Sequence, residues 1–354
     1  RPASSRPARR PASRSAASTP RYGRAFVDGA VAMKPILTPV PPRCKIRKHA
    51  FSQLAGRWAM TVSEPIRHVE RPVSGPPICR PRRTPQLDDT LMGMALLLGP
   101  ANVIMQLARP GVGYGVLESR VESGRIDLHP IKRARTTFTY LAVAMAGTDT
   151  QKAAFRRAVN RAHAQVYSTP DSPVHYNAFD VDLQLWVAAC LYKGGVDFYR
   201  TFIGEMDDID ADRHYQEAVV LGSTLQVPPE MWPADRAGFD RYWNDQLDKV
   251  HIDDAVRDYL YPIAVGRIQK LRLPDVVRRQ PEKLGLLLTT GFLPQRFRDE
   301  MQFAWDASTQ RRFDRVVAAL RALNNAMPRF VRRFPFNILL WDVDRRIKAG
   351  RPLV

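Results

Sequence analysis

Cysteine is scarce in this chain. The 354 residues hold 3, Cys44, Cys79 and Cys190, which form no CxxC pair and no even framework. That pattern excludes a disulfide scaffold and a cysteine-rich zinc site, and it fits a reducing, cytoplasmic setting. Cys190 falls within an apolar helical pattern and reads as a free buried thiol. Runs of alternating β-branched residues are nearly absent, so sheet is not expected and an all-α fold is. The longest apolar stretch, DDTLMGMALLLGPANVIMQLARP, is broken by Gly99-Pro100 and followed by Asn102 and Gln106. A spanning helix needs about 20 apolar residues in a row. The stretch therefore reads as a buried helix pair or a kinked helix, and no transmembrane segment is expected.

Several catalytic signatures are also lacking. There is no Walker A loop, no HExxH and no GxSxG. GVGYG (Gly111, Gly113, Gly115) lacks the third glycine of the dinucleotide fingerprint and follows no strand. No Glu-x-x-His pair is present, which disfavours a carboxylate-bridged di-iron bundle; His214 and Glu217 stand in the reverse order. Asp208, Asp210 and Asp212 alternate as in a calcium loop, but Arg213 occupies the sixth position where glycine is needed, and Val219 the twelfth where glutamate is needed. An N-cap followed by an acidic first turn accounts for that cluster.

Acidic residues are short in one region only. Residues 1–84 hold 18 Lys/Arg against 3 Asp/Glu, and 13 of the 29 prolines. Residues 85–354 hold 36 against 32, so the excess of +19 belongs almost wholly to the first region. A segment of Arg, Pro, Ser and Ala buries too little to form a core, so residues 1–87 read as a disordered basic tail ahead of a helical domain at 88–354. A transit-like leader, a functional basic arm and a true start at Met33 or Met60 all remain open for it. The mixed charges of the remainder argue against specific nucleic-acid binding.

What is present is helical periodicity. Helical patterns cover 130–147, 150–167, 180–193, 196–203, 210–224, 236–247, 253–262, 275–285, 293–304 and 307–325. Asp180 and Pro233-Ala234-Asp235 mark helix starts. Within RARTTFTYLAVAMAGTDTQKAAFRRAVNRAHAQV, Phe155, Ala158, Val159, Ala162 and Val166 make one apolar face. At about 100° per residue His163 borders that face, away from Arg157 and Arg161. On the preceding helix Arg133, Thr137, Tyr140 and Ala144 share a stripe. A satisfied core histidine and a commonplace Arg/Thr pair explain these residues. A b-type haem, whose iron takes a neutral imidazole and whose propionates take an arginine, explains them too.

The ordered series LLLGPANVIMQLARPGVGYGV, PIKRARTTFTYLAVAMAGT, AVNRAHAQV, YNAFDVDLQLWVAACL, YQEAVVLGSTLQVPPEMWPADRAGFDRYWNDQL and RALNNAMPRF resembles the MpaB-type oxygenases, the family that includes the catalytic domain of rubber oxygenase. The resemblance runs from about Leu91 to about Pro328. It implies an all-helical, globin-like core, a haem b cofactor, and use of dioxygen on a lipophilic, isoprenoid-type substrate with cleavage of carbon–carbon double bonds. By the same resemblance His163 is the axial iron ligand, Arg133 and Thr137 line the haem pocket, and Glu118 stands near the place of a base. Thr136 stands where rubber oxygenase has a lysine proposed to cap the iron, so that self-ligation is not expected. Met105, Phe138, Leu141 and Trp186 are candidates either for the substrate wall or for plain core. The alternative is a helical haem- or lipid-binding protein without turnover. Peripheral contact with a membrane is compatible with either.

Overall fold

A computed structural model describes residues 84–121, 129–267 and 275–354. The expectations for the basic tail, including both start-site readings and Cys44 and Cys79, fall outside the described residues. Among the described residues the structure is helical, with no strand and one isolated bridge, Tyr167 to Asn177.

The long apolar stretch is a kinked helix. A short 3-10 segment, Gly93–Leu98, runs into α1 (Gly99–Leu107), with Pro100 in the first turn where a missing N–H costs nothing. Next come α2 (Pro110–Leu117), α3 (Pro130–Ala146) and α4 (Asp149–His163). Thr148 caps α4 in a reciprocal box with Gln151. α5 (Val181–Phe202) starts at Asp180, which accepts from the amides of Asp182 and Leu183. It passes unbroken through Gly194-Gly195, where the sequence suggested two helices. A side chain at Gly194 would lie 2.3 Å from Asn102 Nδ2, so glycine here permits close approach of α1 to α5.

The acidic cluster is a capped helix start: Asp207 accepts from Asp210 N, with Asp208 and Asp210 in the first turn of α6 (Asp208–Glu217). A turn at Ala218 and Val219 separates α6 from α7 (Val220–Ser223). α8 (Arg236–Leu247) has Asp235 as its cap, and α9 (Asp254–Ala264) has Asp253. α10 (Asp275–Phe292) continues past Pro281 and is followed by α11 (Gln295–Glu300) and α12 (Ala307–Ala326). Two helices that periodicity did not signal follow, α13 (Arg329–Arg332) and α14 (Phe336–Lys348).

The core is organised around α5. Trp186 stacks on Trp243 at 5.1 Å, and Tyr192 meets Phe239, Tyr215 and Trp232 edge-on. Trp186, Tyr215 and Cys190 are buried. Trp186 Nε1 donates to the Gln106 carbonyl at 3.1 Å, which ties α5 to α1. The three glycines of GVGYG serve packing: a side chain at Gly113 would meet the Leu107 carbonyl oxygen at 2.7 Å, and one at Gly111 would meet Leu183 at 2.8 Å. α14 lies across α3 and α4, with Phe336 against Phe138 at 5.9 Å.

Candidate functional site

The polar residues of the α3 stripe and the α4 face meet at one cavity of about 550 Å³. That volume lies within the range of small-molecule and cofactor sites. Arg133, Thr137 and Tyr140 reach it from α3; Phe155, Val159, Ala162 and His163 reach it from α4. Val103, Leu107, Phe138, Leu141, Val187 and Leu221 supply apolar wall. Of the four residues left between wall and core, Phe138 and Leu141 line the cavity. Met105 and Trp186 are buried core away from it.

Most polar side chains in the wall are committed to the scaffold. Asn102 Nδ2 donates to the Cys190 carbonyl, Gln106 Nε2 to Asn102 Oδ1, and Gln184 Nε2 to the Ala178 carbonyl. The Tyr140 hydroxyl donates to the Leu221 carbonyl. Thr137 Oγ1 donates back to the Arg133 carbonyl at 3.1 Å, the usual helical arrangement for threonine.

His163 and Arg133 differ from these. His163 Nδ1 is buried without a hydrogen-bond partner. Burial, and secondarily the nearby Arg133 charge, push the His163 pKa down to about 4. The imidazole is therefore neutral near pH 7 and keeps a lone pair for a metal or donor. The ring of Phe179 meets it edge-on at 6.2 Å. Burial lowers the Arg133 pKa, offset in part by Tyr259. Among the described residues no carboxylate pairs with Arg133, and no acidic side chain lines the cavity. A desolvated guanidinium that stays charged favours an anionic partner.

Glu118 sits outside the cavity wall. It is the exposed residue following α2, and its Oε2 accepts from Ser172 Oγ at 2.6 Å and from the Tyr176 hydroxyl at 2.7 Å. Tyr176 lines the cavity, so Glu118 touches the site through that phenol. Burial and the Glu118 hydrogen bond push the Tyr176 pKa up to about 12. Thr136 is buried and lines the cavity, where a hydroxyl cannot reach as a lysine would. Sequence reasoning missed Gln184, Tyr176 and Tyr259, which come from distant segments and carry no local signal.

Among the described residues, no group of three His, Cys, Asp or Glu side chains is placed to hold a metal ion. One imidazole would suit a metal whose other donors come from a macrocycle. A neutral histidine, an arginine with no carboxylate partner among the described residues and a mostly apolar wall fit haem on the chemistry of the donor set.

A family model described as ER-bound oxygenase mpaB/B'/Rubber oxygenase, catalytic domain, matches residues 89–322. Two mycobacterial proteins, one from Mycobacterium bovis and one from Mycobacterium tuberculosis, are each 50% identical over 259 residues. Both carry the description uncharacterized protein, and the alignment covers 73% of this chain and 100% of theirs. No solved structure matches significantly. Over residues 89–322 the chain belongs to the MpaB/rubber oxygenase catalytic-domain family.

Proposed function

We propose that the protein is a haem-dependent oxygenase that acts with dioxygen on a lipophilic, isoprenoid-type substrate. The observation that carries the proposal is the meeting, in one cavity, of a neutral His163 with an Arg133 charge that no carboxylate pairs among the described residues. Family membership supplies the oxygenase part; haem, double-bond cleavage, the globin-like helix arrangement and a cytoplasmic location are part of the proposal. Haem b, when bound, supplies an iron centre for dioxygen chemistry.

The chain's own residues have definable tasks. His163 offers a neutral nitrogen at the end of α4. Arg133 offers a planar fork suited to a carboxylate, as a propionate provides. Thr137 holds its hydroxyl on its own helix and so leaves the space above α3 to larger groups. Leu141, Val187 and Leu221 exclude water and accept an apolar chain. Glu118 holds the Tyr176 proton and is the candidate base acting through that phenol.

A second reading, haem or lipid binding without turnover, draws on the lack of an acidic side chain among the described cavity-lining residues. Oxygen uptake by haem-loaded protein with a panel of prenyl lipids separates the two. Uptake coupled to carbonyl products supports the oxygenase. Saturable lipid binding with no uptake on any member of the panel supports the second reading.

A further inference from the structure

α13 and α14 lie beyond the family match and carry a surface that the cavity does not use. Twelve large hydrophobic residues are exposed among the described residues, and five of them fall between positions 330 and 341. Phe330 is 71% exposed, Phe334 56%, Ile338 50% and Trp341 62%; Val331 is the fifth. Scattered exposure is ordinary, but a contiguous aromatic and aliphatic group marks a contact surface.

The charges around it are mostly basic, although Arg329 and Arg333 are paired with Asp89 and Asp88, and Arg345 and Arg346 with Asp342. Residues 329–351 hold seven Lys/Arg and two Asp/Glu. With about 100° per residue, Asn337, Lys348, Trp341, Arg345 and Ile338 fall within one arc of α14. Phe336 and Val343 are buried on the opposite side, against α3. Asp342 and Asp344 fall at the margins of the outer arc and are engaged by the body. Asp342 takes Arg135 from α3, together with Arg345 and Arg346, and Asp344 takes Gln151 from α4. Arg345 also lies over the Trp341 ring at 5.3 Å. The outward arc is therefore apolar with a basic bias from Arg345 and Lys348, and its acids, Asp342 and Asp344, stand at the margins.

That composition is the complement of an anionic lipid surface, where tryptophan takes the headgroup level and arginine and lysine meet phosphates. We propose that the outer face of residues 330–348 docks on an anionic bilayer surface, with Phe330, Phe334, Ile338 and Trp341 entering the headgroup–acyl boundary. The docking itself does not depend on the cofactor. Its use does rest on the proposed function: Phe336, on the inner side of the same segment, lines the cavity, so a membrane-dissolved chain would meet the wall of the site next to the docked face.

The test uses the full chain with vesicles of phosphatidylcholine alone or with phosphatidylglycerol, some carrying brominated acyl chains. Binding to the phosphatidylglycerol vesicles is expected, with tryptophan quenching that Trp341→Phe removes. The triple variant Phe330→Ser, Ile338→Ser, Trp341→Ser should lower partitioning ~10-fold or more at high salt, where the basic residues 1–84 no longer contribute. These side chains are exposed, and an unchanged melting curve verifies the fold. Equal partitioning of the triple variant, or quenching unaffected by Trp341→Phe, overturns the proposal. So does a concentration-dependent dimer that the triple variant dissolves while vesicle binding is absent, because a second copy then covers the face. Oxygen uptake is measured separately, so loss of docking and loss of activity are distinguishable.

Discussion

His163 and Arg133 show how burial selects chemistry from two ordinary side chains. Placed on a surface, both would be solvated, the arginine charged and the histidine titrating just below neutral pH. In the cavity the imidazole is held neutral, and among the described residues the guanidinium has no carboxylate partner. Arg133→Lys keeps the charge but loses the planar fork, so haem should dissociate ~10-fold faster, as read by transfer to an acceptor protein. Equal dissociation would remove the propionate role. Glu118 makes a different prediction because it lies outside the wall. Glu118→Gln should leave haem loading unchanged and lower turnover, and Tyr176→Phe should do the same, since the carboxylate reaches the site through that phenol. Turnover unaffected by both changes would make the pair structural. The Arg133–Thr137–Tyr140 stripe and the position of His163 beside an apolar face could be read from the helical period alone. The contributions of Tyr176, Gln184 and Tyr259 could not, because contacts between distant segments leave no periodic trace.

At the scale of elements, capping residues proved more legible than helix lengths. Asp180 and Asp235 mark helix starts in the sequence and in the structure, since an aspartate before an apolar period has few other uses. Breaks were harder to place. Gly194-Gly195 reads as a stop, yet α5 continues, and Gly194 serves the close approach of α1 instead. Likewise GVGYG is a packing motif, with Gly113 against α1 and Gly111 against α5. Gly113→Ala would drive a methyl group toward the Leu107 carbonyl and should cost about 1–3 kcal/mol in denaturant unfolding. A neutral outcome would mean the two helices separate freely. Asp306 caps α12, and the Thr309 amide with the Thr309 and Ser308 hydroxyls hold its pKa down to about 2. The folded value lies below the ordinary one, so this stabilisation is present above about pH 4 and is lost as pH falls toward 2. Asp306→Ala should therefore lower Tm at neutral pH, and the gap to the parent should close across that window. A gap that stays constant down to pH 2 would mean the charge contributes nothing.

For the whole molecule, the all-helical class followed from the near absence of alternating β-branched runs, and the structure bears that out among the described residues. Periodicity did not signal α13, which spans only four residues, nor α14, although its two faces are well separated. The basic first region is proposed to be dispensable: a chain beginning at Met60 should fold and keep its cofactor, with soluble yield and haem content as the readouts. Loss of cofactor-loaded protein on that truncation would contradict it. The claim on which the functional account depends is that His163 ligates haem iron in the cavity between α3 and α4. The most direct measurement is the absorption and electron paramagnetic resonance spectrum of protein produced with haem supplied, beside His163→Ala prepared in the same way. The account predicts a Soret band and a histidine-ligated signature in the parent. It predicts loss of that signature in the variant and partial return on adding imidazole. A parent that never takes up haem, or a haem-loaded variant with an unchanged iron spectrum, would contradict it.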